Sequence, residues 1–231
     1  MMRLDGYLCS CKGVTRSEAK KLIKEKRVKI GETVINDSSY HVKEDDIVTL
    51  DDEILTYEEF IYIILNKPAG YVTARSDERQ STVMDLIDED RKNLSPVGRL
   101  DIDTEGLLLI TDNGKLNHNM LSPSKHVDKC YLVRCARDVS DEDMNALRNG
   151  IDIGDDKPTL PAKCERFGSD ILLTIHEGRF HQVKRMLLAT GNEVVYLKRL
   201  SFGPLKLDES LGPGESRRLT KEELGSIKDY L

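Results

Sequence analysis

The sequence predicts an α+β protein: a small helical and β module, then a larger domain built on a mixed, largely antiparallel sheet. Three observations carry this reading. After residue 60, aliphatic and β-branched runs bounded by Gly, Pro, Asp or Asn alternate with helical segments. Many of these runs are joined by turns too short for the helical crossovers of a parallel sheet. Between the two regions, residues 44–59 hold eight acids and no base. This divides the chain into 1–50, an acidic linker over 51–59, and 60–231.

In the first region, Thr15-Arg16-Ser17-Glu18 has the pattern of a capping box, and Val14 before it can staple to Ala19. The pattern predicts a helix running to about Arg27, with Ala19, Leu22 and Ile23 on one apolar face. Beside that face Arg16, Lys20, Lys24 and Arg27 form a basic stripe, with Lys21 next to it. Short strands are expected at 28–30, 33–35 and 47–50, turning at Gly31-Glu32 and Glu44-Asp45-Asp46. Residues 10–30 hold eight Lys/Arg against Glu18 and Glu25, in a chain whose net charge is −6. A second basic zone, from Gly178 to Lys206, opposes six Lys/Arg to Glu193 alone. An acidic protein with two basic zones suits local polyanion binding better than indiscriminate nucleic-acid adhesion.

Composition excludes several classes. The longest unbroken apolar run, Phe60 to Leu65, is six residues, against the roughly 18 needed to cross a bilayer. No membrane association is expected. The start, Met-Met-Arg-Leu-Asp, lacks the apolar core of a secretory signal, so the cytoplasm is the expected location. The five cysteines form no C-x-x-C pair, which argues against a disulfide framework and a zinc ribbon. Neither a Rossmann glycine fingerprint nor a P-loop is present.

Further along, strands are expected at 60–68, 107–111, 130–136 and 170–177, and helices at 81–87, 115–121, 140–149 and 180–189. A last helix is expected from Thr220-x-x-Glu223. The densest polar segment is Gly98-Arg99-Leu100-Asp101-Ile102-Asp103-Thr104-Glu105-Gly106. Its carboxylates have the spacing of an EF-hand loop, but Pro96 and Gly98 preclude an entering helix and position 12 is Asp112 rather than Glu. On residues alone, the remaining options are a solvated loop with Asp caps or a reactive carboxylate site.

Two sets of motifs narrow the choice. Arg3-Leu4-Asp5-x-x-Leu8, Thr15-Arg16-Ser17-Glu18-Ala19-x-x-Leu22-Ile23, Val28-x-Ile30-Gly31 and Val42-Lys43-Glu44-Asp45-Asp46-Ile47 together resemble the S4 RNA-binding module. The usual Asn before the turn glycine is replaced by Ile30. Ser95 to Gly114, in turn, resembles the nucleophile motif of pseudouridine synthases. Three further blocks of that family occur: Leu65-Asn66-Lys67-Pro68-x-Gly70, Lys129-Cys130-Tyr131-Leu132-Val133, and Glu177 through Met186. His181-Gln182 stands where large-subunit enzymes of the group usually show Asn-Arg, so the likeness is to the small-subunit rRNA branch and its uridine 516.

The resemblance implies roles. Asp101 is the nucleophile, Tyr131 stacks on the displaced base and serves as a proton acceptor, and Lys184 is the cation partnering Asp101, at a position where the family usually has Arg. Arg99, Arg179, His181 and Arg185 are expected at the substrate, and Arg185 could share the duty of Lys184. Arg3, Arg16, Lys20, Lys21, Lys24 and Arg27 are expected to bind RNA. The implied partner is small-subunit ribosomal RNA, free or partly assembled, met by a monomer with neither cofactor nor metal. The competing readings are a noncatalytic S4-type RNA-binding or ribosome-assembly protein and a large-subunit rRNA synthase.

Overall fold

The structure, a computed structural model, describes residues 2–43, 45–89, 91 and 93–231. They divide into two units, Met1–Ile61 with Glu89–Lys92, and Tyr62–Asp88 with Asn93–Leu231.

The first unit runs β1 (Met2–Arg3), α1 (Leu4–Lys12), α2 (Arg16–Lys24), β2 (Val28–Ile30), β3 (Thr33–Val34), β4 (His41–Val42), β5 (Val48–Leu50) and β6 (Glu53–Leu55). The expected capping box forms: the Glu18 amide donates to Thr15 Oγ1, and the Thr15 amide donates to the Glu18 carboxylate. Helix α2 ends at Lys24, earlier than expected, because Lys26 turns to a positive φ. Arg27 therefore lies outside the helical stripe. Helix α1 carries no such signal, since no side chain caps its start, yet Leu4, Tyr7 and Leu8 fall at i, i+3 and i+4 and are buried with Ala19, Ile23, Val28 and Val48.

The stretch expected as a linker is partly sheet. Strands β3-β2-β5-β6 form one antiparallel sheet, and Asp51 and Asp52 both take positive φ in the β5–β6 turn. Two consecutive left-handed residues match the right-handed twist of a hairpin, a conformation Asp tolerates. Tyr7 fastens the chain just beyond β6, its hydroxyl donating to the Leu55 carbonyl at 3.0 Å and accepting from the Tyr57 amide at 3.2 Å. Of the expected acidic turn, Glu44 lies outside the described residues, while Asp46 accepts from the Lys43 amide.

The second unit continues with β7 (Tyr62–Lys67), β8 (Ser95–Pro96), β9 (Glu105–Thr111), α3 (Gly114–Leu121), β10 (Lys129–Cys135), α4 (Asp141–Asn149), β11 (Lys163–Phe167), β12 (Asp170–Ile175), α5 (Gln182–Ala189), β13 (Val194–Phe202), β14 (Leu205–Lys206), β15 (Ser216–Arg218) and α6 (Lys221–Ser226). Its sheet has the order β11-β12-β10-β13-β9-β7-β15, with β14 on β13 and β8 on β9. Only β13 and β9 pair in parallel among the described strands, so the sheet is mixed and largely antiparallel. Ile64, Leu107, Leu109, Leu116, Met120 and Phe202 form the core of one face. The helix expected over 81–87 is a single 3-10 turn, Val83–Leu86. Helices α4 and α6 start at capping boxes, of Ser140 with Asp143 and of Thr220 with Glu223.

No helix among the described residues is long and apolar enough to cross a membrane.

Candidate active site

Asp101 sits in the loop between β8 and β9, and that loop is held from beneath. The Lys67 ammonium, at the end of β7 and fully buried, donates to the carbonyls of Pro68, Asp101, Ile102 and Thr104 at 2.8 to 3.3 Å. A charge without water requires a full set of acceptors, and four carbonyls supply it. Burial pushes this amine down to about 8, against the raising effect of Asp103, Asp101 and Glu105. Thr73 adds a second anchor, donating to the Leu100 carbonyl at 2.7 Å and accepting from its amide. The Gly70 amide donates to the Ile102 carbonyl at 2.7 Å. The loop backbone is fixed on both sides of the Asp101 side chain, which is 28% exposed.

Helix α5 supplies the facing cation. Its Val183, Met186 and Leu187 are buried, which turns Lys184 outward from the core. Lys184 Nζ lies 3.2 Å from Asp101 Oδ2 and 2.6 Å from Asp103 Oδ1. Burial works against charge on Lys184, but hydrogen bonds to Asp103 and Asp101 outweigh it and raise the ammonium above its usual range. The same bond from Lys184 lowers Asp103. His181, the N-cap of α5, holds a left-handed conformation, φ 46° and ψ 36°, with Nε2 3.5 Å from Asp101 Oδ1. Strain of this kind in a non-glycine residue persists only where the surroundings over-determine it.

Tyr131 lies on β10 at a register shift, a place where strands re-aim side chains. It is 7% exposed and is paired in register with Arg199 of β13. Arg199 is buried; its Nε donates to the Leu107 carbonyl at 2.8 Å and its guanidinium lies 4.8 Å from the Phe202 ring centroid. Burial lowers the Arg199 pKa, with Tyr131 acting in the opposite direction. Beside it, Gly106 has φ +100°, and a Cβ there would meet the Arg199 carbonyl oxygen at 2.3 Å. Only glycine lets β13 lie against the start of β9.

Other expected site residues are employed differently. Arg185 does not share the duty of Lys184: it binds Asp155 and the carbonyls of Ile153 and Phe180. Arg179 is consumed by Glu177, Asp155 and the carbonyls of Lys157 and Pro158. Both guanidiniums hold residues 153–158 against the start of α5, because a planar fork satisfies several carbonyls at once. Arg99 is exposed on the Asp101 loop. In the first unit, Arg3 is bound by Asp5 through two hydrogen bonds, and Arg27 by Asp51 and Glu25. Lys21 lies 3.9 Å from Glu25. Among the described residues, no ion pair engages Arg16, Lys20 or Lys24, and all three are exposed.

Sequence reasoning missed the use of Lys67, although a lysine closing the apolar strand 62–67 just before Pro68 was a sign of a buried ammonium. It also missed Asp103 as the second partner of Lys184, and the burial of Arg199. Among the described residues no group of three or more His, Cys, Asp or Glu is placed to hold a metal ion, and the five cysteines are free thiols.

Comparison with known proteins agrees with this architecture. Residues 61–189 match the RNA pseudouridylate synthase family and residues 2–48 the S4 domain. The chain is 47% identical to YtzG of Bacillus subtilis, described as an uncharacterized RNA pseudouridine synthase, over 99% of both chains. It is 42% identical to ribosomal small subunit pseudouridine synthase A of Vibrio vulnificus, over 98% of this chain and 99% of the other. A crystal structure of a pseudouridylate synthase, 41% identical, superposes with a TM-score of 0.70 over 98% of this chain and all of that one. With a carboxylate loop pinned between a buried lysine and helix α5 on a mixed sheet, the chain belongs to the RNA pseudouridylate synthase family and carries an S4 domain ahead of its catalytic region.

Proposed function

We propose that this enzyme isomerises one uridine of small-subunit ribosomal RNA, at position 516, with Asp101 as nucleophile. The observation that carries the reading is the Asp101–Lys184 pair at 3.2 Å on a backbone fixed by Lys67. Lys184 faces the carboxylate with the opposite charge and aims it. Asp101 either attacks C1′ or removes the C2′ proton; on either route the N1–C1′ bond breaks and the uracil turns. The C5–C1′ bond then forms as Asp101 leaves C1′, or, on the second route, as Asp101 returns the proton to C2′; Tyr131 accepts the C5 proton and N1 is protonated, so the sum is a redox-neutral isomerisation. The full-length likeness to small subunit pseudouridine synthase A supports the choice of RNA. Arg16, Lys20 and Lys24 add affinity for the RNA backbone, and the enzyme works in the cytoplasm as a monomer, on free or partly assembled RNA.

The test is to map pseudouridines in ribosomal RNA from cells with the protein, without it, and with Asp101→Asn. One site should disappear without the protein and fail to return with Asp101→Asn, while purified Asp101→Asn binds RNA nearly as wild type. Substantial turnover by Asp101→Asn would exclude Asp101 as the nucleophile, and a lost site in the large subunit would redirect the substrate.

A further inference from the structure

We propose that Phe180 is a stacking platform for an unpaired nucleobase next to the target uridine. This rests on the reading of Asp101 as the reacting group. Phe180 is 76% exposed. A lone exposed aromatic needs no explanation in itself, but this one is presented. Its ring stacks on the His181 imidazole, with centroids 3.8 Å apart and planes at 17°, and that imidazole reaches 3.5 Å from the Asp101 carboxylate. One face of Phe180 is thus occupied by a group touching the candidate nucleophile, and the ring is otherwise left to solvent.

The backbone of the tip bearing the ring is held by hydrogen bonds. Arg185 Nη1 donates to the Phe180 carbonyl at 3.2 Å, and the Arg179 amide donates to Gln182 Oε1 at 3.0 Å. Gln182, itself 4% exposed, donates in turn to Glu177. Two arginines and a buried glutamine therefore hold the backbone on either side of the left-handed His181, and the Phe180 ring, stacked on that imidazole, is kept in water. Chemistry on a base requires it to leave its stack, which unstacks its neighbour as well. A flat ring one imidazole away from the reacting carboxylate offers that neighbour a replacement, and stacking on it is tolerant of base identity.

The chain contains no tryptophan, so Phe180→Trp gives a single reporter. Its fluorescence should be quenched by an unmodified small-subunit rRNA fragment carrying the uridine. The quench should vanish when the bases flanking that uridine are replaced by abasic sites. Phe180→Ala should bind the fragment about 5- to 150-fold more weakly. Phe180→Tyr should bind as wild type, and Phe180→Leu should resemble Phe180→Ala because it is apolar without a ring.

The proposal is overturned if RNA binds without quenching, if abasic flanks quench equally, or if Phe180→Ala binds as wild type. It is also overturned if Phe180→Ala slows the reaction at saturating RNA with binding unchanged, since the ring would then serve His181. Asp101→Asn in the Phe180→Trp background separates the two readings. Turnover by that variant removes the nucleophile assignment, while a retained quench leaves the platform standing.

Discussion

The cations of helix α2 and those around the Asp101 loop have the same chemistry and opposite circumstances. Arg16, Lys20 and Lys24 are exposed and outside every ion pair of the described residues, whereas Lys67 is fully buried and Lys184 is bound by two carboxylates. Solvated cations suit a partner whose phosphates are spread along a surface, because counterion release there supplies affinity without exact geometry. Desolvated cations do little for affinity, but they fix where one carboxylate stands, and small displacements of a reacting group are costly. The S4 unit should therefore govern binding and its salt dependence, and the second unit the chemical step.

The largest effect expected to sharpen this contrast is that of Lys184→Met. Removing the charge that holds Asp101 and Asp103 should cost about 100- to 1,000-fold in single-turnover rate, with RNA affinity nearly unchanged. Lys184→Arg should keep measurable activity. Arg185→Met is the control, since Arg185 binds Asp155. If Arg185→Met loses more rate than Lys184→Met, the partner of Asp101 has been misassigned.

Next comes Lys67→Met, which leaves four loop carbonyls without their donor. About 100-fold should be lost from the chemical rate. The pH dependence of stability supplies an independent check. The folded chain releases the Lys67 proton near pH 8, whereas the unfolded chain keeps it to about 10.5. The unfolded state thus binds more protons between these values, and the contribution of Lys67 to unfolding free energy rises with pH across that window. Denaturant titrations of wild type should show this rise, to which Lys67 contributes at most about 1.4 kcal/mol per pH unit, and in Lys67→Met it should be reduced. Burial also brings Lys129 to about 8, so part of the rise should persist. An unchanged slope in the variant would mean that Lys67 is not the group titrating.

The smallest effect on chemistry should come from reversing Arg16, Lys20 and Lys24 to glutamate. RNA binding should weaken, and its log–log salt dependence should flatten by about 0.7 to 0.9 for each phosphate that is no longer neutralised. The rate at saturating RNA should stay within about twofold. If affinity and salt slope do not move, the stripe is only a solvated face; if the saturated rate collapses, the division of labour between the units fails.

Local rules made part of this protein legible from its sequence. The capping boxes at Thr15, Ser140 and Thr220 each opened a helix, because their bonds join residues three apart. Apolar runs revealed β7, β9, β10 and β12. The Asp101 loop stood out through its density of ionisable groups. Tertiary structure decided the rest. Strand β13 hid because Lys198 and Arg199 interrupt its apolar pattern, and Arg199 can be buried only where the Leu107 carbonyl and the Phe202 ring receive it. Which of Lys184 and Arg185 faces Asp101 depended on Asp155, 30 residues from Arg185. The acidic run at 51–55 became a hairpin rather than a tether because β5 was there to pair with it. A charge is written in the sequence, but its partner is set by elements distant in the chain, and its partner decides whether it binds RNA, holds a loop or aims a carboxylate.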